Sequence, residues 1–87
     1  SRDPGKGGLK LMPLAMLSQG ETACIKEIVG GRTARGKLTD LGFVSGKTVK
    51  IHRSSGGPLI VGLGDNRVAL GRGMAHKVLV DNKGCEH

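Results

Sequence analysis

Five residues of this 87-residue chain carry nitrogen or sulfur donors suited to a transition metal: Cys24, Cys85, His52, His76 and His87. A tetrahedral site needs such donors within about 2.0–2.3 Å of one ion, and closely spaced pairs usually supply half of the set. No Cys-x-x-Cys, His-x-His or Glu-x-x-His pair occurs here. Cys24 reads as a small strand residue, His52 and His76 as surface histidines, and Cys85 and His87 as members of a loose tail. No metal ligand set and no cofactor is expected.

Catalytic groups fare no better. Asp40 and Asp65 are far apart in sequence, and each has a local place in a last helical turn or a hairpin turn. Ser45, Ser54 and Ser55 are turn residues with no base implied beside them. Gly71-Arg72-Gly73 and Gly62-Leu63-Gly64 do not lie between a strand and a long helix, as a phosphate-cradling loop requires. The chain is read as having no catalytic residues and as not being an enzyme.

The elements that would position any site are short. Ala34, Leu38 and Leu41 sit at i, i+4 and i+7, so the spacing predicts one helix within 31–43 with those three on its buried face. Thr33 is the expected N-cap. Gly42 is the expected left-handed stop, after which Phe43 folds back onto the apolar face. Strands are expected at Glu21–Val29, Thr48–Arg53, Leu59–Leu63, Arg67–Leu70 and Lys77–Asp81, with Gly64-Asp65-Asn66 as a hairpin turn. In the first strand Ile28 falls on the opposite parity to Ala23 and Ile25, which means a bulge or a strand end covered on both sides. Met12 to Leu17 is an apolar lead-in with one helical turn from Pro13, and Gly71 to His76 a single 3₁₀ turn.

Five short strands, each with one inward face, and 16 glycines imply a small closed barrel with the helix across one end. The expected fold is mainly β, an SH3-like barrel of about five strands with one α-helix inserted after the first. Residues 1–11 are expected to form a flexible N-terminal tail, 12–81 the domain and 82–87 a C-terminal tail. Two cysteines do not make a disulfide framework, so a reducing cytosol is the expected compartment. No signal peptide or membrane-spanning run is read, and membrane association would come through a partner.

The formal charge of +7 points to an acidic or anionic partner. It is spread along the chain, with three Lys/Arg against one Asp in residues 1–12 and ten against five acidic residues in 13–81. Single-strand nucleic-acid sites stack bases on aromatic rings, and Phe43 is the sole aromatic residue. The same poverty disfavours a groove for proline-rich peptides. A protein-binding module survives best, with Arg32, Arg35, Lys37 and Asp40 on the helix and Arg53 and Arg72 nearby as partner-binding candidates. Weak self-association is compatible with this reading.

The run Pro13-Leu14…Leu17…Gly20-Glu21…Ile25…Ile28…Gly30-Gly31, then Leu38-Thr39-Asp40-Leu41-Gly42-Phe43-Val44-Ser45-Gly46, resembles the FeoA family of ferrous-iron-transport accessory proteins. Val49…Ile51, Gly57-Pro58-Leu59-Ile60-Val61, Val68-Ala69-Leu70 and Ala75…Val78…Val80 extend the resemblance over roughly residues 12–81. The resemblance implies an SH3-like barrel with the inserted helix. It also implies a small cytoplasmic protein, peripheral at the inner membrane face through its partner, the FeoB transporter. That transporter carries a cytoplasmic GTP-binding domain and moves Fe²⁺. The same domain closes iron-dependent repressors of the diphtheria-toxin-repressor type, so the alternatives are a metal-linked regulatory domain of that kind or a weak nucleic-acid-binding barrel. No helix-turn-helix is read ahead of the domain in residues 1–11, so a repressor of that type is expected only in truncated form.

Overall fold

Apolar residues at alternate positions set most of the strands, and glycines set the turns between them. The computed structural model describes residues 11–82. In order these form β1 (Leu11–Pro13), a 3₁₀ turn (Leu14–Met16), β2 (Thr22–Ile28), α1 (Arg32–Leu41), β3 (Thr48–Arg53), β4 (Leu59–Leu63), β5 (Asn66–Leu70), α2 (Arg72–Ala75) and β6 (Val78–Asp81). The fold is mainly β with α1 inserted between β2 and β3, as expected. The tails expected at 1–11 and 82–87 lie outside the described residues apart from Leu11 and Asn82, and Leu11 opens β1.

The described residues form six strands, where about five were expected. The additional one, β1, is too short to show alternation and exists because it pairs antiparallel with β6, Met12 opposite Val80. The antiparallel order is β1-β6-β2-β3-β4-β5. Among the described residues no ladder joins β5 back to β1, so the expected closure is not made by strand pairing. The apolar face encloses one core of Ala23, Ile25, Val49, Ile51, Leu59, Val61, Leu63, Leu70, Val78 and Val80, capped by Leu14, Leu17, Leu38, Phe43 and Ala75.

The parity break in β2 is a bulge. Ile25 pairs with Val80 and Glu27 with Leu79, leaving Lys26 as the extra residue. Its carbonyl accepts a hydrogen bond from Ser45 Oγ at 3.2 Å, which ties the loop after α1 to the bulge. Ile28 thereby turns inward and packs against the core. The hairpin between β4 and β5 is a two-residue loop, Gly64-Asp65, and Gly64 takes φ 63° at its first position, as a type II′ turn demands.

Helix α1 differs from expectation at two places. Its N-cap is Gly31 in extended conformation with no side-chain cap bond, and Thr33 lies inside the first turn. Leu38 is fully buried and Ala34 half-buried, but Leu41 remains 44% exposed. Leu38 is the one fully buried residue of α1, and Leu41, at the last position of the helix, lies beyond that covered part. At 71–76 the chain forms the four-residue helix α2, where a 3₁₀ turn was expected.

The helix stop is as expected. Gly42 adopts φ 104°, its N–H donates to the Leu38 and Thr39 carbonyls, and the Phe43 N–H donates to Leu38 O at 2.9 Å. That is a Schellman motif, with Leu38 and Phe43 both buried beside it. An alanine Cβ at Gly42 meets Leu63 Cδ1 at an ordinary 3.4 Å, so the strain of Gly42→Ala is conformational. It is expected to cost about 1–2 kcal/mol, seen as a lower denaturant midpoint with unchanged slope.

Candidate functional site

The outer side of α1 collects Arg32, Arg35 and Asp40 with Gly30, Gly36 and Thr39 around a cleft of about 500 Å³. Helical spacing explains the grouping, since positions 32, 35, 36, 39 and 40 share one face. A second cleft of about 330 Å³ lies between α1 and β2, lined by Lys26, Glu27, Ile28, Arg35, Thr39, Phe43, Val44 and Ser45. Arg35 borders both. Exposed Val44, just past the helix stop, lines the second cleft with Arg35, so this surface joins basic to apolar character. Lys37 is exposed but lines neither cleft.

Arg53 and Arg72 are exposed too, but stand on other elements, at the end of β3 and the start of α2. Arg72 donates through its guanidinium to the Ser54 carbonyl, one residue beyond Arg53. The six sequence candidates thus fall into a helix group of four and a β3–α2 group of two.

The sheet holds a further basic surface that the sequence did not single out. Lys50 on β3 pairs with Gly62 on β4, and Gly62 pairs with Arg67 on β5. Directly paired residues share a sheet face, so all three lie in one row on the outer side. Beyond Ile51 the β3–β4 register shifts, Arg53 pairing with Ile60, which leaves His52 as the bulge residue. Its imidazole lies over Gly62, close enough that a Cβ there would sit 2.4 Å from His52 Nε2. Thr48, Val49, Lys50, His52, Gly62 and Gly64 line a cleft of about 340 Å³ at this place.

His52 was expected on the surface; it is half-buried. Desolvation of the ring, then the charges of Arg67 and Lys50, push its pKa below the ordinary 6.5. Alternation alone places Lys50 and His52 outward. The glycine beneath the ring and Arg67 beside it become visible only through strand register.

Among the described residues no three His, Cys, Asp or Glu side chains gather as a metal site. Cys24 is 1% exposed and disulfide-bonded, a departure from the reduced thiol expected of a cytosolic chain. No helix among the described residues is long and apolar enough to cross a membrane.

Comparison with known proteins agrees with this architecture. A protein of Methanocaldococcus jannaschii named for Fe(2+) transport (transport protein A) is 33% identical over 72 residues, 83% of this chain and 88% of that protein. The crystal structure of an iron uptake regulatory protein, FeoA, superposes with a TM-score of 0.76 at 36% identity, covering 83% of this chain and 96% of that one. The zinc complex of Stenotrophomonas maltophilia FeoA, described as a prokaryotic SH3 domain protein, gives a TM-score of 0.72 at 30% identity over 80% of this chain and 89% of that one. The FeoA domain pattern matches residues 12–82, from the second residue of β1 to one residue past β6, and the chain belongs to the FeoA family.

Proposed function

We propose that this chain is a non-enzymatic interaction module of ferrous iron uptake that docks on the cytoplasmic part of a FeoB-type transporter. The observation that carries the reading is the family match over residues 12–82, which spans almost the entire described domain. The names of its relatives, Fe(2+) transport protein A and iron uptake regulatory protein, point the same way. FeoB is the partner that the family resemblance implies.

Docking is assigned to the outer face of α1. Its inner side is committed to the core through Leu38, while Arg32, Arg35, Lys37 and Asp40 are exposed. Val44 adds exposed apolar area beside Arg35 at the helix end, and an interface commonly joins such an anchor to a polar rim. Arg53 and Arg72 are the second-ranked contacts.

The test is calorimetric titration of the transporter's cytoplasmic GTP-binding domain into wild type and Arg32→Glu/Arg35→Glu. Reversing two exposed charges at a complementary rim is expected to weaken binding about tenfold, ~1.4 kcal/mol. Both side chains are exposed, so the thermal midpoint should not move. Undiminished binding by that variant removes α1 from the interface.

A further inference from the structure

The row Lys50–Gly62–Arg67 is an odd piece of surface for a domain to keep. None of the three strands contributes a carboxylate: β3 is Thr-Val-Lys-Ile-His-Arg, β4 Leu-Ile-Val-Gly-Leu and β5 Asn-Arg-Val-Ala-Leu. Lys50 and Arg67 are both exposed, on strands either side of Gly62. Two strand spacings separate them, about 10 Å between backbones. Between them the floor has no side chain of its own, and the bulge brings the His52 ring over it.

We propose that this outer face of β3–β5 is a docking site for an acidic protein segment, one carboxylate of which lies between Lys50 and Arg67 beside the His52 imidazole. A carboxylate there would accept from both cations and from a protonated ring, and would offset the repulsion among three like-charged groups. The cleft of about 340 Å³ beside Lys50, His52 and Gly62, with Arg67 outside its lining on the next strand, has room for one or two side chains.

A protein carboxylate is favoured over a nucleic-acid phosphate by what surrounds the charge. The one Phe, Tyr or Trp residue, Phe43, is fully buried, so the face offers only the small His52 ring and no platform on which successive bases could stack. Apolar Ile60 and Ala69, paired with each other on the same outer face as Gly62, suit a peptide running across the strands.

The site carries its own pH response. The charged groups that face the ring are Lys50 from its own strand and Arg67 from β5, while β4 supplies Gly62 and no titratable residue. Both cations and desolvation disfavour the imidazolium in the free protein. A bound carboxylate favours it, so binding takes up a proton and must strengthen as pH falls. This surface is independent of the α1 reading, and its test uses no transporter.

The experiment is an amide-shift titration of the ¹⁵N-labelled chain with an acetylated, amidated hexaglutamate peptide, near pH 6 and near pH 8. Saturable shifts are expected at Lys50, His52, Gly62 and Arg67, with affinity a few-fold higher at the lower pH. Lys50→Glu/Arg67→Glu is expected to weaken binding about tenfold or more, and His52→Gln to remove the pH dependence while leaving binding near its pH 8 value. Shifts spread evenly over all exposed Lys and Arg, or centred on Arg32 and Arg35, would overturn the proposal. So would an oligothymidylate of equal charge that binds the same residues as tightly as the peptide. Because the shift map is read on wild type, it decides the matter even where a variant folds poorly.

Discussion

Phe43→Ala is expected to remove most of the stability of this domain. Phe43 is the largest fully buried side chain, and it sits where the helix stop and the barrel core meet. Truncating a buried Phe costs about 3–5 kcal/mol, through lost transfer energy and the cavity left behind. A domain of this size has a core near the lower limit for independent folding, and whole-domain stabilities begin at about 5 kcal/mol. The loss also removes the apolar partner of Leu38 across the Schellman motif, whose bond from Phe43 N–H to Leu38 O orients the last turn of α1. A scanning calorimetry experiment should show the midpoint fall by roughly 15 °C or more, or no cooperative transition. Val44→Ala, at the neighbouring position that is 40% exposed, should change stability by no more than about 0.5 kcal/mol. Similar losses for the two variants would mean that Phe43 is not the residue seated in the core.

The second large effect is expected at Leu14, in the segment that the sequence marks as no more than an apolar lead-in. Leu14 is fully buried, and its 3₁₀ turn touches α2 and β6. It therefore joins the first described strand to the last, across nearly the whole chain. Leu14→Ala should cost about 2–5 kcal/mol. Met16→Ala, two residues on and 62% exposed, should fall within about 0.5 kcal/mol of wild type. Urea titration of the pair is the measurement, with the midpoint as readout. If Leu14→Ala matches Met16→Ala, the lead-in does not belong to the folded unit.

Both contrasts concern neighbours that look alike in the sequence. Phe43 and Val44, like Leu14 and Met16, are all apolar, and their burial separates them. Ala34, Leu38 and Leu41 make the same point, since periodicity puts the three on one face whereas the sheet covers only the middle one completely. Hydrophobic periodicity reports a direction around an axis. How far along that axis a neighbour reaches is a property of the neighbour.

What the sequence determined by itself is local. Gly42 and Gly64 mark the helix stop and the hairpin because those positions require positive φ, a property of the residue alone. The alternation of β3 and β4, the parity break at Ile28 and the Leu38–Gly46 pattern that carries the family resemblance are of the same kind. Tertiary structure decided the rest. β1 is a strand because β6 lies beside it, and Gly31 takes the N-cap through the way the chain leaves β2. The six candidates chosen from charge and exposure divide between two places for the same reason. The basic row on the outer sheet face depends on Lys50, Gly62 and Arg67 meeting in register, with a bulge carrying His52 over the glycine. Register is a pairing of distant segments, and a single inserted residue changes which side chains meet. No local signal in the chain encodes that meeting.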